Sequence, residues 1–287
     1  MNRFCLLLFV LFFSHTAIQA QNAEKTRESI KPFFLGEIDS LYSSELSEGR
    51  ILNIYLPEGY NKNDTLRYPV IYLLDGSADE DFIHIVGLVQ YFNFPWINTL
   101  PKSIVVGIAN VDRRRDFTYP TSDVDDKKQF PTTGGSAKFI AFLEKELQPY
   151  IDNRFKTKKL NTIIGQSLGG LLVTQILFEK PALFNKYIII SPSLWWDDGS
   201  LLNKQAEVLI PSFSRQTTIY IGTGKEGFWP GKPKHVMEVE AKELADRLIK
   251  SGKKNLEVYY DFLPKETHAT VTHPAVFNAF RMMYPAK

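Results

Sequence analysis

Thr162-Ile-Ile-Gly-Gln-Ser-Leu-Gly-Gly-Leu-Leu172 decides how the rest of the chain is read. A β-branched run feeds Gly165-Gln-Ser167-Leu-Gly169, a G-x-S-x-G match, and an apolar run through Val173, Ile176 and Leu177 follows at helical spacing. The order is strand, sharp turn, helix. Such a turn strains the backbone of its serine and pushes the hydroxyl into the open, while small residues on either side let strand and helix approach. Leu168 then sets a backbone N–H in the first helical turn, where unpaired donors and the positive dipole end favour an oxyanion. The motif also fits a plain helix-capping serine. The flanking strand and helix, however, are the setting a catalytic serine needs. That reading makes two further demands: an acid after one later strand and a histidine after the next, in the order Ser, acid, His.

Upstream, residues 68–74 form a continuous apolar run, as a strand buried on both faces does, and end at Asp75-Gly76-Ser77. Residues 104–109 form another, and residues 81–92 between them carry apolar side chains at helical intervals. Strand, helix, strand predicts a parallel crossover. Residues 37–46 and 50–56 alternate apolar and polar, which predicts two antiparallel strands joined at Ser47-Glu48-Gly49. Residues 135–155 place Phe139, Phe142, Leu143 and Leu147 on one helical face, with Pro149 expected to kink or end that helix. Beyond the serine, strands are predicted over residues 187–190, 217–222 and 256–262. A helix over 236–251 is closed by Gly252, and a last one over 275–283 is started by Pro274. The alternation specifies the α/β class: a mostly parallel twisted sheet with helices on both faces and antiparallel N-terminal strands. No repeat or linker interrupts it, so residues 36–287 read as one catalytic domain.

Glu226 lies just past the strand that ends at Gly222, at the carboxyl edge where open α/β sheets hold their ligands, and is the first candidate for the acid. Asp197, Asp198, Asp261 and Glu266 lie in comparable loops. His268 follows the last strand by a short loop, from which an imidazole can take the Ser167 proton and pass it to the leaving group. His84 falls in a predicted helix, and His273, just before Pro274, fits a local structural role. A second oxyanion donor is expected from the backbone N–H of Ser77 or Gly76. Arg113, Arg114 and Arg115 follow another parallel strand and can reach the same mouth to hold an anionic or catechol-like group, although a solvated charge run fits them equally. Of Trp195 and Trp196, one is expected to line the pocket and the other to pack beneath it. Gly222-Thr-Gly224-Lys-Glu-Gly227 matches a dinucleotide fingerprint, but Pro230 and Pro233 break the helix that a phosphate would need. With no H-E-x-x-H, cysteine cluster or Walker loop, the sequence implies no metal and no cofactor.

At 287 residues and 44% hydrophobic content, the chain can bury one large core, and a net charge of +2 argues against a strongly basic nucleic-acid surface. Arg3, the apolar residues 5–13 and the small residues 17–20 follow the order of a secretory signal peptide. Cleavage after Ala20 is expected, leaving residues 21–35 as a loose lead-in to an exported protein, periplasmic or secreted, with no stable membrane insertion. His15 and Cys5, the sole cysteine, leave with that segment, so the mature chain keeps neither a disulfide nor a thiol nucleophile.

Several separated motifs carry a family resemblance. Tyr72-Leu-Leu-Asp-Gly76, Val105-Val-Gly-Ile108 leading to Asp112-Arg-Arg-Arg-Asp116, Gly165-Gln-Ser-Leu-Gly-Gly170, Ser191-Pro-Ser-Leu-Trp-Trp196 and Glu266-Thr-His268 resemble the putative esterase family of α/β-hydrolases. The family includes esterase D-like enzymes and enterochelin and ferri-siderophore esterases of the Fes and IroE type, and the resemblance spans residues 35–285. It implies the α/β-hydrolase fold, Ser167 as nucleophile, His268 as base and the Asp75-Gly76-Ser77 loop as the rest of the oxyanion hole. It implies less about the acid, because some siderophore esterases of this family function with a serine–histidine pair. Members also include feruloyl and acetyl-xylan esterases and mycolyl-transferase relatives, so substrate does not transfer. The expectation is a serine esterase working through an acyl-enzyme on a small-molecule ester, from a siderophore or a carbohydrate. The alternatives are a non-catalytic protein that binds a siderophore or glycan, and an acyltransferase.

Overall fold

The apolar runs of the sequence become the strands of the computed structural model, which describes residues 31–285. The expected signal peptide, residues 1–20, and the first part of the lead-in lie outside the described residues. One compact unit comprises Gly36–Lys287. It opens with β1 (Glu37–Ser43) and β2 (Glu48–Tyr55), paired antiparallel with Ser43 opposite Glu48. The turn between them falls earlier than the sequence predicts. Glu146 explains the shift, because its Oε1 accepts the Ser44 and Glu45 N–H groups at 2.9 and 3.2 Å, and its Oε2 accepts the Ser43 hydroxyl at 2.5 Å.

Next come β3 (Tyr68–Leu73), α1 (Phe82–Asn93) and β4 (Ile104–Ile108), the predicted parallel crossover. Two short helices follow, α2 (Arg113–Phe117) and α3 (Val124–Gln129), neither of them anticipated. The long amphipathic helix appears as α4 (Ser136–Phe142) and α5 (Gln148–Arg154), joined by a π-helical stretch at Leu143–Leu147. Pro149 has no N–H to close the usual bond to the turn before it, so the chain widens there instead of ending.

The central element is β5 (Thr157–Gln166), which runs into α6 (Leu168–Glu179). After it come β6 (Lys186–Ile190), α7 (Ser200–Asn203) and β7 (Thr217–Gly224). A small antiparallel ribbon of β8 (Phe228–Trp229) and β9 (Lys232–Val236) stands where the sequence reading contains no strand. The chain finishes with α8 (Met237–Lys250), closed by Gly252 at φ 63, then β10 (Leu256–Leu263) and α9 (Thr272–Met283).

Eight strands form the main sheet in the order β1-β2-β4-β3-β5-β6-β7-β10. Every pair from β4 to β10 is parallel, and β2 joins β4 antiparallel. Consecutive residues Ile188, Ile189 and Ile190 are all fully buried, so both faces of the sheet are covered. This is the mostly parallel α/β architecture with antiparallel N-terminal strands. Because β3, β5, β6, β7 and β10 point the same way, the loops after them gather at one edge.

Candidate active site

The turn between β5 and α6 is tight because the side chains that would obstruct it are missing. A Cβ on Gly165 would sit 2.5 Å from the Gly169 carbonyl oxygen, and one on Gly170 would sit 2.8 Å from that of Ile190. Ser167 occupies the bend at φ 60, ψ −121, a region that L-residues adopt only under constraint. The constraint comes from three backbone bonds: its N–H donates to Ile190 at 3.0 Å, and its carbonyl accepts from Leu171 at 2.9 Å and Ser193 at 3.1 Å.

His268, in the loop after β10, places Nε2 at 3.0 Å from Ser167 Oγ. Its Nδ1 lies 2.6 Å from Glu226 Oε2, in the loop after β7. An ionised carboxylate only accepts, so Nδ1 carries the proton and Nε2 is left to accept from the serine. Gln166 steadies the imidazole by donating Nε2–H to the His268 carbonyl at 3.1 Å. The Glu226 side chain is 1% exposed, and its other oxygen accepts the Ser191 hydroxyl and, at 3.1 Å, the Gly224 N–H. Burial pushes this carboxyl up, but the hydrogen bonds from His268 and Ser191 and the imidazole's charge outweigh it, holding the group below the ordinary glutamate range.

None of the rival residues joins this group. Asp261 accepts from Tyr220 and Asn278 at 2.7 and 2.8 Å, and Asp197 accepts from Thr121 and Ser200 at 2.8 and 2.7 Å. Asp198 is engaged with His235, and the Glu266 carbonyl accepts the Lys225 N–H. His273 meets Asp81 at 3.1 Å and lies against the His84 ring, the local role its position suggested.

Leu168 opens α6, a twelve-residue helix whose first-turn N–H groups have no partners within the helix. Gly76 requires a correction. Its N–H donates to the Ile108 carbonyl at 3.1 Å and its own carbonyl accepts from Asn53 Nδ2 at 2.8 Å, so it has no free donor for an oxyanion. Glycine is needed there for a different reason, since a Cβ would lie 2.4 Å from Gly107 Cα in β4. Ser77 keeps the more available N–H, 3.3 Å from an oxygen of the exposed Glu80, a contact long enough for a substrate oxygen to displace.

The three arginines part company because successive residues of α2 point about 100° apart. Arg113 grips both oxygens of Asp75, at 2.6 and 2.9 Å, and donates to the Gln166 carbonyl at 3.2 Å. It ties the loop after β3 to the end of β5, so its charge is spoken for. Arg115 turns away into an ion-pair network with Glu48, Asp116 and Arg50 and is no substrate ligand. Arg114 is exposed, lies over the Phe130 ring at 5.0 Å, and has no carboxylate partner among the described residues.

A cavity of about 400 Å³ surrounds Ser167, walled by Phe130, Leu168, Trp195 and Trp229, with Arg113 and Arg114 also lining it. Trp195 lines it as expected of one tryptophan of the pair. Trp196 packs beneath, fully buried, with its indole N–H donated to the Tyr119 carbonyl at 2.9 Å, and so is no substrate contact. A larger cavity of about 630 Å³, lined by residues such as Glu144, Lys180 and Phe213, contains none of this machinery.

Four residues of the site escaped the sequence reading: Gln166, Ser191, Ser193 and Trp229. Trp229 stacks on Trp195 with centroids 4.5 Å apart and planes at 11°, and stands edge-on to His268 at 6.4 Å. Its ribbon is anchored by Lys232, which bridges Asp123 and Asp126 at 2.8 and 2.9 Å. The Pro230-Gly231 turn directly after two aromatic residues is the signal that could have found it. Ser193 Oγ lies 3.3 Å from Ser167 Oγ.

Chemically, a cavity-lining hydroxyl bonded to an imidazole, itself oriented by a buried carboxylate and flanked by a helix N-terminus, is an arrangement for acyl transfer. Comparison with known proteins points the same way. Residues 43–272 match the family model described as putative esterase. Over 253 residues the chain is 29% identical to the ferri-bacillibactin esterase BesA of Bacillus subtilis, covering 83% of this chain and 86% of that protein. It also resembles the crystal structure of an IroE-like serine hydrolase from Shewanella oneidensis, with 32% identity, a TM-score of 0.76, and coverage of 87% of this chain and 80% of that one. The BES protein from Bacillus cereus is similar at 28% identity and a TM-score of 0.77, over 90% of this chain and 99% of the other.

Proposed function

The chain belongs to the putative esterase family and is a carboxylic ester hydrolase, and from that premise we propose that it opens siderophore esters through an acyl-enzyme carried by Ser167. The observation that carries this reading is the relay from Ser167 to His268 to Glu226, with contacts of 3.0 and 2.6 Å, facing an aromatic cavity. Ser167 Oγ attacks the ester carbonyl while His268 Nε2 takes its proton and returns it to the departing alcohol; water then repeats the sequence on the acyl-enzyme. Glu226 holds the imidazole in the tautomer that can accept, and stabilises it once charged. The Leu168 and Ser77 N–H groups receive the carbonyl oxygen.

Siderophore as substrate is supported by the named activity of the ferri-bacillibactin relative and by Arg114, a cation beside Phe130 at the cavity that is unpaired among the described residues and suits an anionic, ring-bearing chelate. Export is supported by the order of basic, apolar and small residues at positions 3–20. A mature protein beginning elsewhere than Gln21 would count against the expected cleavage. Among the described residues, no helix is long and apolar enough to cross a membrane.

The test is turnover of ferric and iron-free tris-catecholate esters, followed by product mass, for the intact enzyme and Ser167→Ala. The intact enzyme should release the linear acid, prefer the anionic ferric complex and label with a fluorophosphonate. Ser167→Ala should do none of these while melting normally. Activity surviving in Ser167→Ala would refute the nucleophile, and indifference to every siderophore with full activity on simple esters would refute the substrate class.

A further inference from the structure

A second hydroxyl stands against the nucleophile. Ser193 is fully buried, lines the catalytic cavity and sets its Oγ at 3.3 Å from Ser167 Oγ, which is the one hydrogen-bond partner of the Ser193 hydroxyl among the described residues. Its backbone N–H donates to the Ser167 carbonyl at 3.1 Å, so main chain and side chain both register the two serines. The direction of the side-chain bond follows from where the protons must be. Nδ1–H of His268 donates a hydrogen bond to Glu226, leaving Nε2 to accept the Ser167 hydroxyl at 3.0 Å, closer than the Gln166 amide nitrogen at 3.3 Å. Ser167 Oγ can then only accept from its neighbour, and Ser193 is the donor.

We propose that Ser193 is a second catalytic hydroxyl, which donates to Ser167 Oγ and stabilises charge on that oxygen both when it attacks and when it is expelled. The proposal rests on Ser167 being the nucleophile. In acylation the Oγ–H bond breaks toward His268 Nε2 as the Oγ–carbon bond forms; the carbon–alkoxy bond then breaks, and the alcohol leaves with the imidazole's proton. In deacylation water bonds to the acyl carbon and gives His268 a proton, the carbon–Oγ bond breaks, and its electron pair returns to Oγ with that proton. Ser193 keeps its own proton throughout. A buried donor already aimed at the oxygen needs no rearrangement at the moment charge develops.

Its place in the sheet separates this role from that of the oxyanion hole. β5 lies between β3 and β6, so Ser193 approaches from the flank opposite the Ser77 loop. It therefore serves the serine oxygen and not the carbonyl oxygen.

The experiment compares Ser193→Ala, Ser193→Thr and Ser167→Ala with the intact enzyme in single-turnover acylation and deacylation. It uses p-nitrophenyl acetate and an acetate ester of an alkyl alcohol, with fluorophosphonate labelling in parallel. Ser193→Ala should slow both half-reactions about tenfold, leave KM within about twofold, and lose the same factor for both leaving groups. Ser193→Thr, which keeps the hydroxyl, should recover most of the rate; where its extra methyl lowers the melting temperature, the alanine rates on the two esters decide. Wild-type rates in Ser193→Ala would overturn the proposal, as would a loss confined to one leaving group. A stable threonine variant no faster than alanine would do the same. Activity in Ser167→Ala removes the nucleophile itself, whereas a dead Ser167→Ala beside a fully active Ser193→Ala removes only the role given to Ser193.

Discussion

Glu226→Gln is the most informative single change, because the surroundings dictate how the new amide must sit. Two donors, the Ser191 hydroxyl and the Gly224 N–H, converge on Oε1. They will hold the amide's carbonyl oxygen in that place. The NH₂ then faces His268 Nδ1, which the carboxylate oxygen now meets at 2.6 Å. Two donors cannot share that contact, so the imidazole moves its proton to Nε2 and can no longer accept from Ser167. Loss of the charge-assisted bond alone, at roughly 1.5–3 kcal/mol, amounts to about ten- to a hundredfold in rate. The wrong tautomer raises this to about a thousandfold or more. Glu226→Ala removes the acceptor without imposing a donor, leaves the imidazole free to choose its tautomer, and should lose only the smaller factor. Steady-state kcat on p-nitrophenyl acetate, with circular dichroism to verify folding, measures both variants. A glutamine variant within tenfold of wild type would refute the reasoning and leave a serine–histidine pair. An alanine variant slower than glutamine would refute the tautomer argument specifically.

Ser191→Ala tests the same carboxylate through stability. Because Glu226 ionises below its ordinary value when folded, its contribution is complete above the unfolded value and disappears as pH falls through the folded one. The variant should lose about 1 kcal/mol in urea unfolding at pH 7, and the gap should close below pH 4.5, the group's ordinary value; an unchanging gap would exclude the linkage. Gly76→Ala should lower the melting temperature by the equivalent of about 1–3 kcal/mol, because its methyl meets Gly107 Cα at 2.4 Å, and should lose more activity than stability as Ser77 shifts. Melting and turnover both at wild-type levels would show that the loop accommodates the methyl.

What the sequence discloses here is what neighbouring residues decide. Ser167 is legible because strand, bend and helix are all written within a dozen residues. Glu226 and His268 are legible because parallel strands deliver the loops after them to one edge, so order along the chain becomes proximity. Gly76 is misread because its N–H is claimed by Ile108 and its carbonyl by Asn53, partners from other strands that no local pattern reveals. Arg113, Arg114 and Arg115 look alike in sequence, and only the rotation of α2 sends one to Asp75, one over the Phe130 ring and one to Glu48. Trp229 is missed for a plainer reason: β8 is two residues long, too short to show a period. The first turn is displaced by Glu146, a carboxylate roughly a hundred residues downstream.

Asp75, Ser167 and Ser191 hold φ values of 52, 60 and 41 at the ends of three adjacent strands. Each costs on the order of 1–3 kcal/mol, and glycine would relieve all of them. A lineage bred for survival in hot water alone would therefore drift toward glycine along this rim and go silent as an enzyme, losing the grip on Arg113, the attacking oxygen and the acid's anchor in turn. Thermal hardening of this protein has to be sought in the helices and the far edge of the sheet.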